Sequence, residues 1–89
     1  MNVEHNAKHR QFEVRDGGEL AFLSYRMEDG AMSLEHTRVP QSFEGRGIAS
    51  ALAKSAFDYA RSNDLRVVVI CPFVQKWLDK HPEQRDIVL

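Results

Sequence analysis

The sequence is short of several features that identify whole classes of protein. Its 89 residues include one cysteine and three prolines. No apolar run approaches the roughly 20 residues that a membrane-spanning helix needs, and the polar N-terminus has no signal-peptide core. A single cysteine cannot form an internal disulfide, which is typical of a reducing compartment. These absences predict a cytoplasmic protein with no membrane partner.

Charge of one sign and metal-ligand spacing are also missing. Twelve Lys and Arg residues nearly balance thirteen Asp and Glu residues, for a net charge of −1. No overall attraction to nucleic acid is therefore expected. The one Cys and four His residues are scattered, without the spacing of a metal site. The sequence predicts no nucleic-acid partner and no structural metal.

The composition that remains is that of an ordinary globular domain, with 43% hydrophobic and 28% charged residues. A chain of this length buries only roughly 60–65% of the surface that its unfolded form exposes. We therefore expect one domain spanning residues 1–89 and no second core.

Three short segments with strand-like alternation fill the first half of the chain. Residues 9–15 alternate apolar and polar positions, and residues 19–27 carry apolar side chains on both faces. Residues 31–39 place Met32, Leu34, His36 and Arg38 on one face. Two glycine-containing turns separate the three segments, Asp16-Gly17-Gly18 and Glu28-Asp29-Gly30. This pattern predicts a three-strand antiparallel meander.

A helix, a strand and a second helix are predicted after the meander. Apolar residues recur at helical spacing from about residue 47 to 62. Residues 65–71 form a β-branched run without alternation, typical of a strand buried on both faces and central in its sheet. Pro72 suits the first position of the second helix. The order β-β-β-α-β-α predicts an α+β fold in which a curved, mostly antiparallel sheet carries the helices.

Two glycines stand one residue apart where the long helix begins. Gly45 and Gly47 allow the backbone to pass close to a ligand and to turn several N–H groups the same way. Together with the positive end of the helix dipole, those donors favour a phosphate or pyrophosphate. Because short glycine motifs recur by chance, an ordinary turn before a helix is the alternative.

Three short stretches of the chain form a recognisable combination of sequence motifs. They are residues 34–40 (Leu-Glu-His-Thr-Arg-Val-Pro), residues 45–52 (Gly-Arg-Gly-Ile-Ala-Ser-Ala-Leu), and residues 71–74 (Cys-Pro-Phe-Val) with Lys-His-Pro-Glu at 80–83. In this order they resemble the Gcn5-related N-acetyltransferases (GNATs), and among them the small acetyltransferase-like proteins. The resemblance covers about residues 12–88 and implies a GNAT-like fold, acetyl-CoA as cosubstrate and an amine as acceptor.

The resemblance also implies how coenzyme A is held. The family loop reads Gln or Arg, two residues, Gly, one residue, then Gly or Ala; the last two positions match here, but Glu44 occupies the first. We expect Glu44 to weaken binding rather than abolish it, and Arg46 to offset its charge if the guanidinium turns toward the phosphates. The pantetheine arm is expected between the strand end at Val39 and the strand at 65–71. The predicted cofactor-binding residues are Val39, Gly45, Arg46, Gly47, Ile48 and Ala49.

Cys71 and His36 are the predicted catalytic residues. The resemblance implies that Cys71 lies near the acetyl thioester. It is either a transient acyl acceptor or merely a buried residue that lines the channel. Its predicted place just before a helix favours the thiolate form, because the N-terminus of a helix stabilises negative charge. His36 follows Met32 and Leu34 on one strand face. It is either a base for the amine or for Cys71, or a hydrogen-bonded histidine at a strand end. Glu35 points to the opposite face and ranks below it.

Other conspicuous residues have simpler interpretations. His5 lies in a polar segment, residues 1–8, that we expect to be loose, and His5, His9 and His81 are predicted to be solvated. Trp77 is predicted to belong to the core.

The sequence therefore predicts an acetyl-CoA-dependent N-acetyltransferase, a monomer or weak homodimer, that acts on an unidentified amine. The alternative is a CoA-binding or protein-interaction module with little or no transferase activity. That alternative rests on size, because larger family members carry additional N-terminal segments that form the acceptor site.

Overall fold

The computed structural model of the protein describes residues 2–89. Within this range the chain forms five strands and two α-helices, listed here in chain order. They are β1 (Glu4–Asn6), β2 (Gln11–Asp16), β3 (Glu19–Glu28), β4 (Ala31–Arg38), α1 (Ile48–Ser62), β5 (Arg66–Val69) and α2 (Pro72–Lys80). Short 3-10 helices cover Gln41–Phe43 and Pro82–Ile87. In the described range, no helix has the length and apolar content needed to cross a bilayer.

The strands form a single sheet in the order β1-β2-β3-β4-β5. The first four strands are an antiparallel meander, and β5 runs parallel to β4. Parallel neighbours need a crossover connection, and α1 supplies it. The predicted α+β class, with its curved and mostly antiparallel sheet, is confirmed.

The first strand was not expected. Within the segment predicted to be loose, Glu4–Asn6 pairs with β2, and His5 lies opposite Phe12; Met1 is outside the described residues. A three-residue strand with polar ends carries almost no periodic signal, so only the pairing partner makes it visible.

The position of β5 also differs from the prediction. The strand was expected at the centre of the sheet, but it lies last in the strand order, and Arg66 is exposed. The C-terminal segment runs along its outer edge: Val88 bridges Val67, and the Leu89 N–H donates to the Val67 carbonyl at 2.8 Å. The C-terminal segment therefore covers the edge of β5 on which a further strand was expected.

Helix α1 packs across the sheet and closes the core. Its buried side chains recur at helical spacing, and three of them are alanines, which let the helix approach the strands closely. The buried residues of α1 are Ile48, Leu52, Ala53, Ala56, Phe57 and Ala60. The prediction for Trp77 is confirmed: its side chain is 5% exposed and its ring centroid lies 5.3 Å from that of Phe57.

A β-bulge interrupts the pairing of β3 with β4. Tyr25 lies opposite Leu34, but the next residue back, Ser24, lies opposite His36. Glu35 is therefore the extra residue on β4, and it reverses the alternation of side chains beyond it.

The bulge corrects the predicted orientation of His36. Thr37 pairs with the fully buried Leu23 and so faces the helices, as Leu34 does. His36 is exposed on the opposite, outer face of the sheet. The prediction that His36 continues the face of Met32 and Leu34 is wrong because simple alternation does not allow for an inserted residue.

His5 is not solvated as predicted but lies half-buried in an aromatic cluster. Its ring stacks on Phe12 at 4.4 Å and meets the edge of Tyr59 at 4.4 Å. Its Nε2 lies 2.5 Å from the hydroxyl of Tyr25. Burial lowers the pKa of His5, because charging the ring inside this cluster costs solvation.

We expect the folded state to lose stability through His5 in mild acid. Because the folded pKa of His5 is lowered, the unfolded chain binds this proton at a higher pH than the folded chain does. The stabilisation is complete above the ordinary histidine pKa of about 6.5 and is lost progressively as the pH falls below it. The urea midpoint of the wild type should therefore drop more than that of His5→Phe between about pH 7.5 and about pH 5.

The exposed His9 provides the matched control for this measurement. His9→Gln should keep the wild-type dependence of the midpoint on pH. The same dependence in the wild type and in His5→Phe would contradict the assignment to His5.

Candidate functional site

Both glycines at the head of α1 adopt left-handed backbone conformations. The φ angle is 78° at Gly45 and 71° at Gly47, a region that is costly for residues with a Cβ. Gly47 is the N-cap of α1, no side chain caps the helix, and its first turn contains no acidic residue. The Ala51 N–H donates to the Gly47 carbonyl at 3.0 Å. The N–H groups of residues 48–50 precede this hydrogen bond. The first turn of an α-helix leaves such groups without an intrahelical acceptor, so they can donate to an anion.

A groove of about 310 Å³ opens at this helix head. Its lining includes five of the six predicted cofactor-binding residues, and Glu44 is among the others. The lining residues are Val39, Phe43, Glu44, Gly45, Gly47, Ile48, Ala49, Ser50 and Phe73. The structure thus brings the glycine loop, the end of the meander and the start of α2 to one place.

Arg46 is the predicted residue that does not line the groove. Its guanidinium forms an ion pair with Asp16 at 2.9 Å and lies 5.2 Å above the ring of Phe43. Both charged side chains are about half exposed, and pairs of that kind contribute little to stability. The role of Arg46 in offsetting Glu44 stays a prediction that requires its release from Asp16.

Strands β4 and β5 separate beside the groove. Their parallel pairing ends at Leu34 and Val69. The N–H groups of Ile70 and Cys71 then both donate to the Leu34 carbonyl, each at 3.0 Å. β4 continues to Arg38, paired with β3 on one side. Beyond Leu34, the other side of β4 has no strand partner within the described residues. An extended ligand can pair with such an edge.

Cys71 lies at the point where the two strands separate. It immediately precedes α2, whose first residue is Pro72, and it is 3% exposed. Its Sγ lies 3.1 Å from Oγ1 of Thr37. The sequence did not single out Thr37, although it lies in the familiar stretch at 34–40, because the inserted Glu35 concealed which face it occupies.

His36 is not brought together with Cys71. The bulge places it on the outer face, where the Ser24 hydroxyl donates to the His36 carbonyl at 3.5 Å. Glu35 is half-buried, and its carboxylate lies 3.9 Å from Arg26. The thiol of Cys71 and the hydroxyl of Thr37 therefore lie on the helix side of the sheet, and the imidazole of His36 lies on the other side.

Comparison with known proteins identifies the family. The sequence profile of the GCN5-related N-acetyl-transferases matches residues 11–87. The chain belongs to this family. The resemblance carried by the three stretches is thereby confirmed.

Relatives in vertebrates are similar along almost the whole chain. Protein NATD1 of Xenopus tropicalis is 41% identical over 85 residues, which cover 92% of this chain and 78% of that protein. Protein NATD1 of Homo sapiens is 39% identical, with coverage of 92% and 75%. The NMR solution structure of a GCN5-like protein from Staphylococcus aureus matches at a TM-score of 0.78 and 25% identity, covering 99% of this chain and 87% of that one. The GNAT-like fold is therefore confirmed.

We expect Gly47→Ala to lower the free energy of unfolding by about 1 to 2 kcal/mol, because alanine is strained at positive φ. No heavy atom lies within 4 Å of the position that a Cβ would take, so the cost is backbone strain and not a clash. Asparagine tolerates this conformation better and is favoured at N-caps. Urea unfolding should therefore rank the wild type above Gly47→Asn and Gly47→Asn above Gly47→Ala. An alanine variant as stable as the wild type would contradict this.

Proposed function

We propose that the protein is an acetyl-CoA-dependent N-acetyltransferase that transfers the acetyl group to an amine. The observation that supports this most directly is the head of α1. It combines two glycines at positive φ, an uncapped start without a first-turn acid, and a groove beside the gap between β4 and β5.

In this proposal the pyrophosphate of coenzyme A is held by the backbone between Gly45 and Ala49. The donors are main-chain N–H groups, and the positive end of the α1 dipole adds to them. Glu44 lines the same groove, so its carboxylate weakens the attraction without removing the donors. The pantetheine arm runs past Val39 and pairs with the edge of β4 that β5 leaves free.

Two chemical routes fit this site. In the direct route, the lone pair of a neutral amine attacks the thioester carbonyl carbon, the C–S bond breaks, and the CoA thiolate leaves. The nitrogen loses one proton to a base, and the CoA thiolate takes up a proton to leave as the thiol.

In the covalent route, Sγ of Cys71 attacks first as the thiolate, the C–S bond to CoA breaks, and the leaving CoA thiolate takes up the proton that Cys71 lost. The amine then displaces the cysteine sulfur from the acetyl group, and the proton that its nitrogen loses restores the thiol of Cys71. The hydroxyl of Thr37, 3.1 Å from Sγ, can donate a hydrogen bond to the sulfur whenever it carries negative charge.

As a base, His36 was predicted to act either on the amine or on Cys71, and its position favours the amine. On the outer face of the sheet it can accept a proton from an amine that approaches from that side. It does not lie on the same face as Thr37 and Cys71. We therefore assign His36 to the amine and not to the thiol.

A second candidate function is a CoA-binding module with little transfer. The burial of Cys71 favours it, since a thiol that is 3% exposed and in contact with Thr37 has limited access to a thioester. Binding without turnover above the rate of spontaneous hydrolysis, across a panel of amines and peptides, would support the module.

Acetyl-CoA at about ten times its dissociation constant should raise the melting temperature by roughly 5 °C or more, because it binds only the folded chain. Ala49→Glu places a carboxylate in the first turn of α1 and should reduce this shift strongly. Ser62→Glu adds the same charge at the far end of α1 and should keep it. Differential scanning fluorimetry measures all three proteins, each against its own ligand-free melting temperature. No shift in the wild type at about millimolar acetyl-CoA would remove the proposal.

Substitutions at Cys71 and His36 separate the two routes. In the covalent route, mixing with acetyl-CoA alone should add the mass of one acetyl group to the wild type and to His36→Gln, and none to Cys71→Ser. In the direct route, none of the three proteins should gain this mass. With an amine present, His36→Gln should lower kcat by about 100-fold, as expected for loss of a general base. Intact-protein mass spectrometry and a CoA-release assay give these readouts. Full turnover by Cys71→Ser would exclude the covalent route, and full turnover by His36→Gln would exclude His36 as the base.

A further inference from the structure

The outer face of the sheet, opposite α1, is the side from which the amine is proposed to reach His36. Among the described residues, the strand register places four arginines on this face: Arg15, Arg26, Arg38 and Arg66. Three of them have a partner: Glu13 for Arg15, Glu35 for Arg26 and the Ile87 carbonyl for Arg66. The charge of the fourth, Arg38, is therefore the one available to a substrate.

Arg38 lies close to the proposed base. It follows His36 by two residues on the same face of β4, so the two Cα atoms are about 7 Å apart along the strand. Its side chain is exposed, and no carboxylate of residues 2–89 lies within 4.0 Å of it. The carboxylate of Glu35, beside His36 in the chain, lies 3.9 Å from Arg26 instead. The base is thus flanked by an unopposed positive charge.

Apolar side chains lie next to this charge. Phe22 is directly opposite Arg38 on β3 and is half-buried. Ile70 follows β5 on the other side of the gap and is 52% exposed, although its neighbour Cys71 is buried. An open surface that combines apolar and aromatic side chains with an arginine is typical of a surface that binds a protein segment.

We propose that the acceptor is an amine in an acidic protein segment, and that Arg38 pairs with a carboxylate next to that amine. This inference rests on the proposed function. Most amines are ammonium ions at neutral pH, and an unopposed guanidinium beside the base repels them. A carboxylate carried next to the amine offsets this repulsion and gives Arg38 a planar, two-point contact. Polyamines and lysines in basic segments offer no such group, so Arg38 selects against them.

Steady-state acetylation of N-terminally blocked peptides at saturating acetyl-CoA tests this on the full chain. The peptides share one central lysine and differ only in its four neighbours, which are all glutamate, all glutamine or all arginine. The wild type should favour the glutamate peptide over the arginine peptide by about tenfold in kcat/KM, mainly through KM, because each exposed ionic contact changes affinity by a few-fold. Arg38→Gln should reduce this ratio below about threefold, and Arg38→Glu should reverse the preference.

Arg66→Gln is the matched control. It removes the same charge from the same face at the other end of the sheet, roughly 20 Å from Arg38, and should keep the wild-type ratio. A second peptide set, with a free N-terminus before the same neighbours and no lysine, shows which kind of amine is acetylated. A preference for acidic neighbours in either set supports the inference.

Added salt provides a test without a variant. It should reduce the preference of the wild type for acidic peptides, because ionic contacts at a surface are screened. A preference that is insensitive to salt would contradict the role of Arg38.

The remaining outcomes separate this inference from the proposed function. Equal use of the three peptides, a preference for the arginine peptide, or an unchanged ratio in Arg38→Gln would overturn the acidic acceptor and leave the transferase intact. Acetylation of a simple amine such as a diamine, with no acetylation of any peptide, would do the same. If neither peptides nor simple amines were acetylated, the proposed function itself would be overturned.

Discussion

The carbonyl of Leu34 is the acceptor on which the geometry of the site depends. It receives the N–H groups of both Ile70 and Cys71, so the chain of β5 turns away from β4 at this point. The turn ends the parallel pairing, exposes the edge of β4 and begins α2 one residue after the cysteine.

The bulge at Glu35 decides which side chains face that gap. One inserted residue turns Thr37 toward the helices and toward Cys71, and it turns His36 to the outer face. The two sides of the sheet thereby carry different chemistry, with a thiol and a hydroxyl on one and an imidazole on the other. In the acetyl transfer proposed above, this division lets each substrate approach from its own side of the sheet.

The crossover through α1 places the glycine loop and two contiguous grooves at the same end of the sheet. Because α1 connects parallel strands, its N-terminus lies at the carboxyl end of β4, where open α/β sheets commonly bind ligands. The hydrogen bond between Trp77 and Ser50 ties the first turn of α1 to α2. Beside the groove at the head of α1, a second groove of about 380 Å³ extends along α2 to Lys76 and Lys80. Ser50 and Phe73 line both grooves, which therefore form one continuous surface.

Features that depend on neighbouring residues could be predicted from the amino-acid sequence alone. These are the glycine turns, the start of α1 at paired glycines, Pro72 at the start of α2, and the stretches that identify the family. Other features became visible in the folded chain: the pairing of β1, the edge position of β5, the bulge at Glu35, and the contacts of Thr37 with Cys71 and of Arg46 with Asp16. Turn and helix preferences are local free energies, whereas strand order, register and side-chain contacts depend on partners distant in the chain.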